Sequence, residues 1–169
     1  LSMSKLSKKK VIGITGSMGS GKSEISRYLR KKYPVLDCDQ VNADLLKKGN
    51  LGYQKLNDLR IVELDSNGQI IKESLASYMF SKAEHRKQVE AILHPLIFEQ
   101  MHKWICEQES SIVFVEMPIL FEISAQDHFD SIWCVVADLD VALSRLQTYR
   151  NFTREQALAR LVSQMNPEE

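Results

Sequence analysis

Apolar positions along this chain follow two rhythms. Val11-Ile12-Gly13-Ile14-Thr15, Ser111-Ile112-Val113-Phe114-Val115-Glu116 and the run from Ser131 to Ala137 are short and almost continuously apolar. Such runs predict strands covered on both faces, as in a parallel sheet. Pro34-Val35-Leu36-Asp37-Cys38-Asp39 predicts a further short strand ending in two carboxylates. Elsewhere the period is helical. From Ser23 to Lys32 no breaker occurs, and Ile25, Tyr28 and Leu29 fall at i, i+3 and i+4 on one face. Gln40 to Lys48 also reads as a helix. Between Leu51 and Glu109 the strand rhythm lapses. There the pattern predicts helices over Lys72–Phe80, Lys82–Leu93 and Leu96–Glu107, with Leu93-His94-Pro95 breaking the last two apart. Asn67-Gly68 marks a turn, and Arg60 to Leu64 a short extended or helical piece. Asp138 to Thr148 is helical, capped by Asp138 or Asp140, and Thr153-Arg154-Glu155-Gln156 has the form of a capping box opening a helix to about Gln164.

Strands alternating with helices predict an α/β fold with a parallel sheet. A crossover between parallel strands needs only about a dozen residues, so the helical stretch 51–109 is longer than its connection requires. It is either an inserted region that holds a second substrate or plain helical packing.

One stretch carries chemistry on its own. Gly16-Ser17-Met18-Gly19-Ser20-Gly21-Lys22-Ser23 reads G-x-x-x-x-G-K-S, at the junction between a buried strand and a helix. The glycines admit backbone angles closed to other residues and keep side chains away from a bound anion. Successive backbone N–H groups and the helix N-terminus then converge on phosphate. Gly16, Met18, Gly19, Ser20, Gly21, Lys22 and Ser23 are therefore the candidate ATP-binding residues, with Lys22 reaching the β- and γ-phosphates and Ser23 ligating Mg²⁺.

Ligands of open α/β sheets bind beyond the carboxyl ends of the strands, which puts Asp37 and Asp39 close to this loop. At i and i+2 they share a side if the strand persists through both. Asp39 also suits a helix N-cap, and the residues alone leave capping and catalysis level. Glu116, at a strand's carboxyl end, is placed to act on a metal ion or its waters, or else to cap or pair with a lysine. Arg145 and Arg150 flank the junction of two C-terminal helices. They are candidates for a mobile lid that brings guanidinium forks onto phosphate and excludes water, or are ordinary surface arginines.

Composition narrows the field. The 169 residues fit one domain, or one core with an inserted subdomain. Lysine plus arginine and aspartate plus glutamate each number 22, so no overall field favours nucleic acid or a membrane surface. Lys8-Lys9-Lys10 reads as a solvated basic face. No run is long enough to span a bilayer, and no signal peptide is visible. Cys38, Cys106 and Cys134 are widely spaced and form no C-x-x-C, which reads as reduced thiols of a cytoplasmic protein without a zinc site. Leu1-Ser2 before Met3 is set aside from the fold reading.

Taken in order, the motifs resemble the dephospho-coenzyme A kinase family. They are Thr15-Gly16 through Ser23, Val35-Leu36-Asp37-Cys38-Asp39, Leu93-His94-Pro95-Leu96-Ile97, Pro118-Ile119-Leu120-Phe121-Glu122, Arg145 with Arg150-Asn151, and Gln164. The resemblance runs from about Val11 to the last residues. It implies a three-layer P-loop kinase fold: a parallel-sheet core over about 8–50 and 110–140, a helical substrate region over about 51–109, and a helical lid over about 141–164. It further implies ATP as phosphoryl donor with Mg²⁺, and transfer of the γ-phosphoryl group to the ribose 3′-hydroxyl of dephospho-CoA. On the family's pattern Asp39 becomes the base, Lys22, Arg145 and Arg150 act on the phosphates, and His94 and Phe121 match motifs around the acceptor pocket. The expected partners are these two substrates, with no nucleic acid or membrane, in a monomer or weak oligomer. Other small-molecule P-loop kinases (nucleoside-monophosphate or shikimate type) and a non-catalytic nucleotide-binding module are the competing readings. The chain departs from the family in three places. Ala43 stands where an arginine is usual, leaving Lys47 or Lys72 to replace that contact. Glu24 stands where threonine usually follows the P-loop serine. Family members also run on beyond the position of Glu169, through a further segment with a closing helix.

Overall fold

The computed structural model describes residues 9–16, 22–117 and 128–135, with single positions at 153, 155, 156 and 159. Strands β1 (Lys10–Gly16), β2 (Val35–Asp37), β3 (Ile112–Glu116) and β4 (Ser131–Val135) form one sheet in the order β2-β3-β1-β4. Every pairing is parallel. Helices α1 (Lys22–Leu29), α2 (Cys38–Leu45), α3 (Leu51–Asp58), α4 (Lys72–Ser81) and α5 (Ala83–Glu107) complete the described elements. The described residues divide into two compact units. One holds the chain up to Asp37 and from Trp104 onward; the other is Cys38–Lys103.

The sheet unit is built on rows of register partners. Val35, Phe114 and Ile12 stand abreast on three strands, and Ile14 pairs with Trp133. Register partners point to the same face, so this face carries Ile12, Ile14, Phe114 and Val135, which pack with Ile25 and Leu29 of α1 in one buried cluster. Two tilted aromatic contacts tie three strands across it. Tyr33 meets Phe114, and Phe114 meets Trp133, each at 5.3 Å between ring centroids. The central strands β1 and β3 are buried on both faces, which explains their unbroken apolar runs. Lys9 donates its ammonium to the carbonyl oxygens of Ile105 and Gln108. One lysine of the expected basic face is thus a cationic cap on the C-terminal end of α5. The capping box forms as read: Thr153 Oγ1 accepts from the Gln156 N–H, and Gln156 Oε1 accepts from the Thr153 N–H.

In the helical unit, α2 follows β2 with no intervening residue. The strand therefore does not persist to Asp39, and the expected same-side arrangement of Asp37 and Asp39 does not hold. Cys38 and Leu45, seven apart, are the buried residues of α2, a helical period that overrides the extended reading of Cys38-Asp39. Asp39 is the second residue of the helix rather than its N-cap. Helix α3 has no counterpart among the sequence expectations. Its Gly52 lies under α2, where an added Cβ would stand 2.7 Å from the Leu45 carbonyl oxygen. The Asn67-Gly68 turn is present: the Gly68 N–H reaches the Asp65 carbonyl, Leu64 bridges Ile70 antiparallel, and Gly68 takes φ +77°. The Tyr53 hydroxyl donates to the Gly68 carbonyl.

The predicted break at Pro95 is absent. Helix α5 runs through it from Ala83 to Glu107. Val89, Leu93, Leu96, Ile97, Met101 and Ile105 are all buried at helical spacing, so the apolar stripe continues across the proline. A helix-interior proline costs about 3 kcal/mol. Burying a large aliphatic side chain returns about 1.5–3 kcal/mol, so the stripe outweighs the lost N–H.

Candidate functional site

The strand order fixes where a ligand site falls. From β1 the chain goes to β2 at one edge of the sheet, and from β3 it goes to β4 at the other. The connections diverge at the neighbouring carboxyl ends of β1 and β3, the position where open parallel sheets bind ligands. The phosphate loop begins there. Gly16 ends β1, and Lys22 opens α1. The described chain leaves out residues 17–21, so Met18, Gly19, Ser20 and Gly21 lie outside it, as does the side chain of Ser23.

Across the junction, Ile14 is the register partner of Glu116, and the Met117 N–H donates to the Ile14 carbonyl at 2.8 Å. Lys22 Nζ donates to the Met117 carbonyl at 3.5 Å. This bond is long, so it holds the ammonium over the β1–β3 edge and releases it at little cost. Glu116 is only 7% exposed. Among the described residues no hydrogen bond or ion pair reaches its carboxylate, and Lys22 does not pair with it. A buried anion without a partner is costly, and this one lies at the edge where a phosphate-bound cation would sit. Asp37 is the register partner of Glu116 on the next strand. No group of three His, Cys, Asp or Glu side chains among the described residues could hold a metal ion alone. The donor set suits Mg²⁺, which keeps several waters and binds through one or two carboxylates plus substrate phosphates.

The remaining candidates fall elsewhere. Asp39 is exposed in the first turn of α2, within the helical unit. His94 is half-buried in α5, in that same unit; it is a mid-helix residue and not a turn. Burial pushes its imidazole below the ordinary range, and the Glu90 carboxylate, itself 2.9 Å from Arg86, pulls the other way. Of the two lysines offered in place of the usual arginine, Lys47 is 2.9 Å from Asp44. That bond holds the Asp44 carboxyl below its usual value. Lys72 opens α4 and is exposed. Phe121, Arg145 and Arg150 lie outside the described residues, as do the Asp138–Thr148 helix and most of the lid range. Cys38, Cys106 and Cys134 are free thiols. No described helix is long and apolar enough to cross a membrane. Sequence reading alone missed the Lys22–Met117 contact, because a backbone carbonyl carries no residue-type signal.

Comparison with known proteins gives a consistent picture. A family model described as dephospho-CoA kinase matches residues 10–169. A dephospho-CoA kinase of Bacillus cereus is 34% identical over 165 residues, covering 94% of this chain and 82% of the relative. One of Streptococcus mutans is 34% identical over 160 residues, covering 92% and 81%. Among solved structures, TT1252 from Thermus thermophilus superposes with a TM-score of 0.65 at 32% identity, covering 95% of this chain and 82% of that one. The dephospho-CoA kinase from Campylobacter jejuni has a TM-score of 0.56 at 22% identity over the same shares, a likeness of fold.

Proposed function

The chain belongs to the dephospho-CoA kinase family, and from that premise we propose that it transfers the γ-phosphoryl group of ATP to the ribose 3′-hydroxyl of dephospho-CoA, giving CoA and ADP. It is a phosphotransferase of the P-loop kinase fold. The observation that carries the reading is the β1–β3 junction, where Lys22 is tethered to the Met117 carbonyl beside a buried, unpaired Glu116.

The division of labour follows from residue chemistry. The glycine loop's N–H groups and the N-terminus of α1 bind phosphate oxygens. Lys22 leaves the Met117 carbonyl and turns its charge onto the β- and γ-phosphates. The Ser23 hydroxyl and, through water, Glu116 are the groups that would hold Mg²⁺, which when bound neutralises charge on the phosphates. Asp39 accepts the proton of the 3′-hydroxyl, which raises its nucleophilicity as it attacks phosphorus. Arg145 and Arg150 close onto the transferring group and exclude water, the competing acceptor. His94 and Phe121 contribute to the acceptor pocket.

The test is product identification. Purified protein with ATP, Mg²⁺ and dephospho-CoA is expected to yield ADP and a 3′-phosphorylated product in equal amounts by mass spectrometry. ADP release that does not rise above the level seen with no acceptor would overturn the assignment, and turnover with a nucleoside monophosphate or shikimate instead would name the substitute.

A further inference from the structure

We propose that Asp37 is a further residue of the transfer site: with Glu116 it forms a paired-carboxylate seat for the hydrated divalent cation that accompanies the nucleotide. This rests on the kinase reading but not on the identity of the acceptor.

The placement comes from register. Asp37 and Glu116 are Cα partners on adjacent parallel strands, so their side chains leave the same face, with strands about 4.8 Å apart. Ile14 completes the row on β1, two residues before the phosphate loop begins at Gly16. This face is the one that α1 covers, and α1 opens with Lys22 and Ser23. The two carboxylates therefore stand at the carboxyl edge on the loop's side of the sheet. Asp39, by contrast, is turned into the helix that follows, where the strand's register no longer governs it.

The second observation is Glu116 itself. It is more than nine-tenths buried, and among the described residues no donor meets it. Two carboxylates side by side repel, and burial sharpens the repulsion. A folded protein keeps such a pair where a cation or its water shell offsets the charge. The single lysine at this edge binds a backbone carbonyl instead. Coordination chemistry agrees, since one or two protein carboxylates with the remaining positions left to water and phosphate is the usual Mg²⁺ arrangement. Asp37 also precedes the first residue of α2, so it could serve the fold as an N-cap alone. Asparagine caps a helix as well as aspartate does, and Asp37→Asn therefore removes the charge while keeping the cap.

The experiment is a titration with Mn²⁺ as probe. The full chain is saturated with a non-hydrolysable ATP analogue, no acceptor is added, and free Mn²⁺ is followed by electron paramagnetic resonance. Asp37→Asn and Glu116→Gln are each expected to weaken Mn²⁺ binding about tenfold or more. The double variant should lose less than the product of the two, since they serve one ion. Affinity for the analogue in the presence of a chelator should be unchanged. If Asp37→Asn binds Mn²⁺ within about twofold of wild type while Glu116→Gln does not, Asp37 is a cap only and the proposal falls. Equal weakening with and without metal would overturn it too, by showing a disturbed fold or nucleotide site. Should Asp37→Asn fold poorly, Asp37→Glu keeps the charge and is expected to retain tight Mn²⁺ binding; its loss would contradict the proposal. Because no acceptor is present, these outcomes are independent of whether dephospho-CoA is the substrate.

Discussion

The sheet unit and the helical unit are stabilised in different ways. In the sheet, rows of Val, Ile and Phe are buried on both faces, and three aromatic rings link adjacent strands through Phe114. In the helical unit, many of the visible ties are polar and near the surface. Tyr78 stacks on His85 at 4.0 Å and donates its hydroxyl to Gln88, while Ser81 closes the end of α4 on the Tyr78 carbonyl. Phe80, between these residues, is 85% exposed. Net surface hydrogen bonds are worth about 0.5–1.5 kcal/mol each, against several for a buried aromatic ring. A nucleotide needs a rigid cradle, which dense packing gives. A region that must admit and release an acceptor is better built from links that break singly.

Substitutions that separate packing from close backbone approach sharpen the contrast. The largest stability effect belongs to the sheet: Phe114→Ala should lower unfolding free energy by about 3–5 kcal/mol, read from the urea midpoint. A loss below about 1 kcal/mol would mean that the aromatic row contributes little. In the helical unit the sensitive position is Gly52, where a Cβ meets the Leu45 carbonyl oxygen. Gly52→Ala gains helix propensity of about 1 kcal/mol but must push α2 and α3 apart, at about 1–3 kcal/mol. Net destabilisation of up to about 2 kcal/mol is expected by thermal unfolding, and a raised melting temperature would show that the contact relaxes freely.

The smallest effect is one of pH. Burial holds His94 below its ordinary value, so the unfolded chain takes up a proton more readily than the folded one. The neutral imidazole's contribution is complete above the unfolded value, near pH 6.5, and is lost as pH falls through the lower folded value. Wild type should therefore lose more stability between pH 7.5 and pH 5.5 than His94→Gln, compared by urea midpoints at the two values. Parallel losses would assign the acid sensitivity to other groups.

The same contrast governs what could be read from residues alone. The buried strands were legible because two-sided burial writes itself as an unbroken apolar run, and the Thr153–Gln156 box because its two hydrogen bonds follow from residue type and spacing. The phosphate loop's position was legible for a related reason: glycines and a lysine are scarcely substitutable there. Helix α5 was not, because the local rule at Pro95 competes with a stripe of buried residues running from Val89 to Ile105. The end of β2 was missed because Val35–Asp37 is too short for its period to be distinguished from the first turn of α2. Lys9 gave no signal, since its partners are main-chain carbonyls.

The division of roles between the nucleotide cradle and the acceptor side is tested most directly at Asp39. ATP affinity and the rate of CoA formation should be measured side by side for wild type and Asp39→Asn. The account predicts ATP affinity within about twofold of wild type and CoA formation slowed by at least about a hundredfold, the scale of a lost general base. CoA formation at the wild-type rate would remove Asp39 from the chemistry, and an equal fall in both would place it with the nucleotide instead.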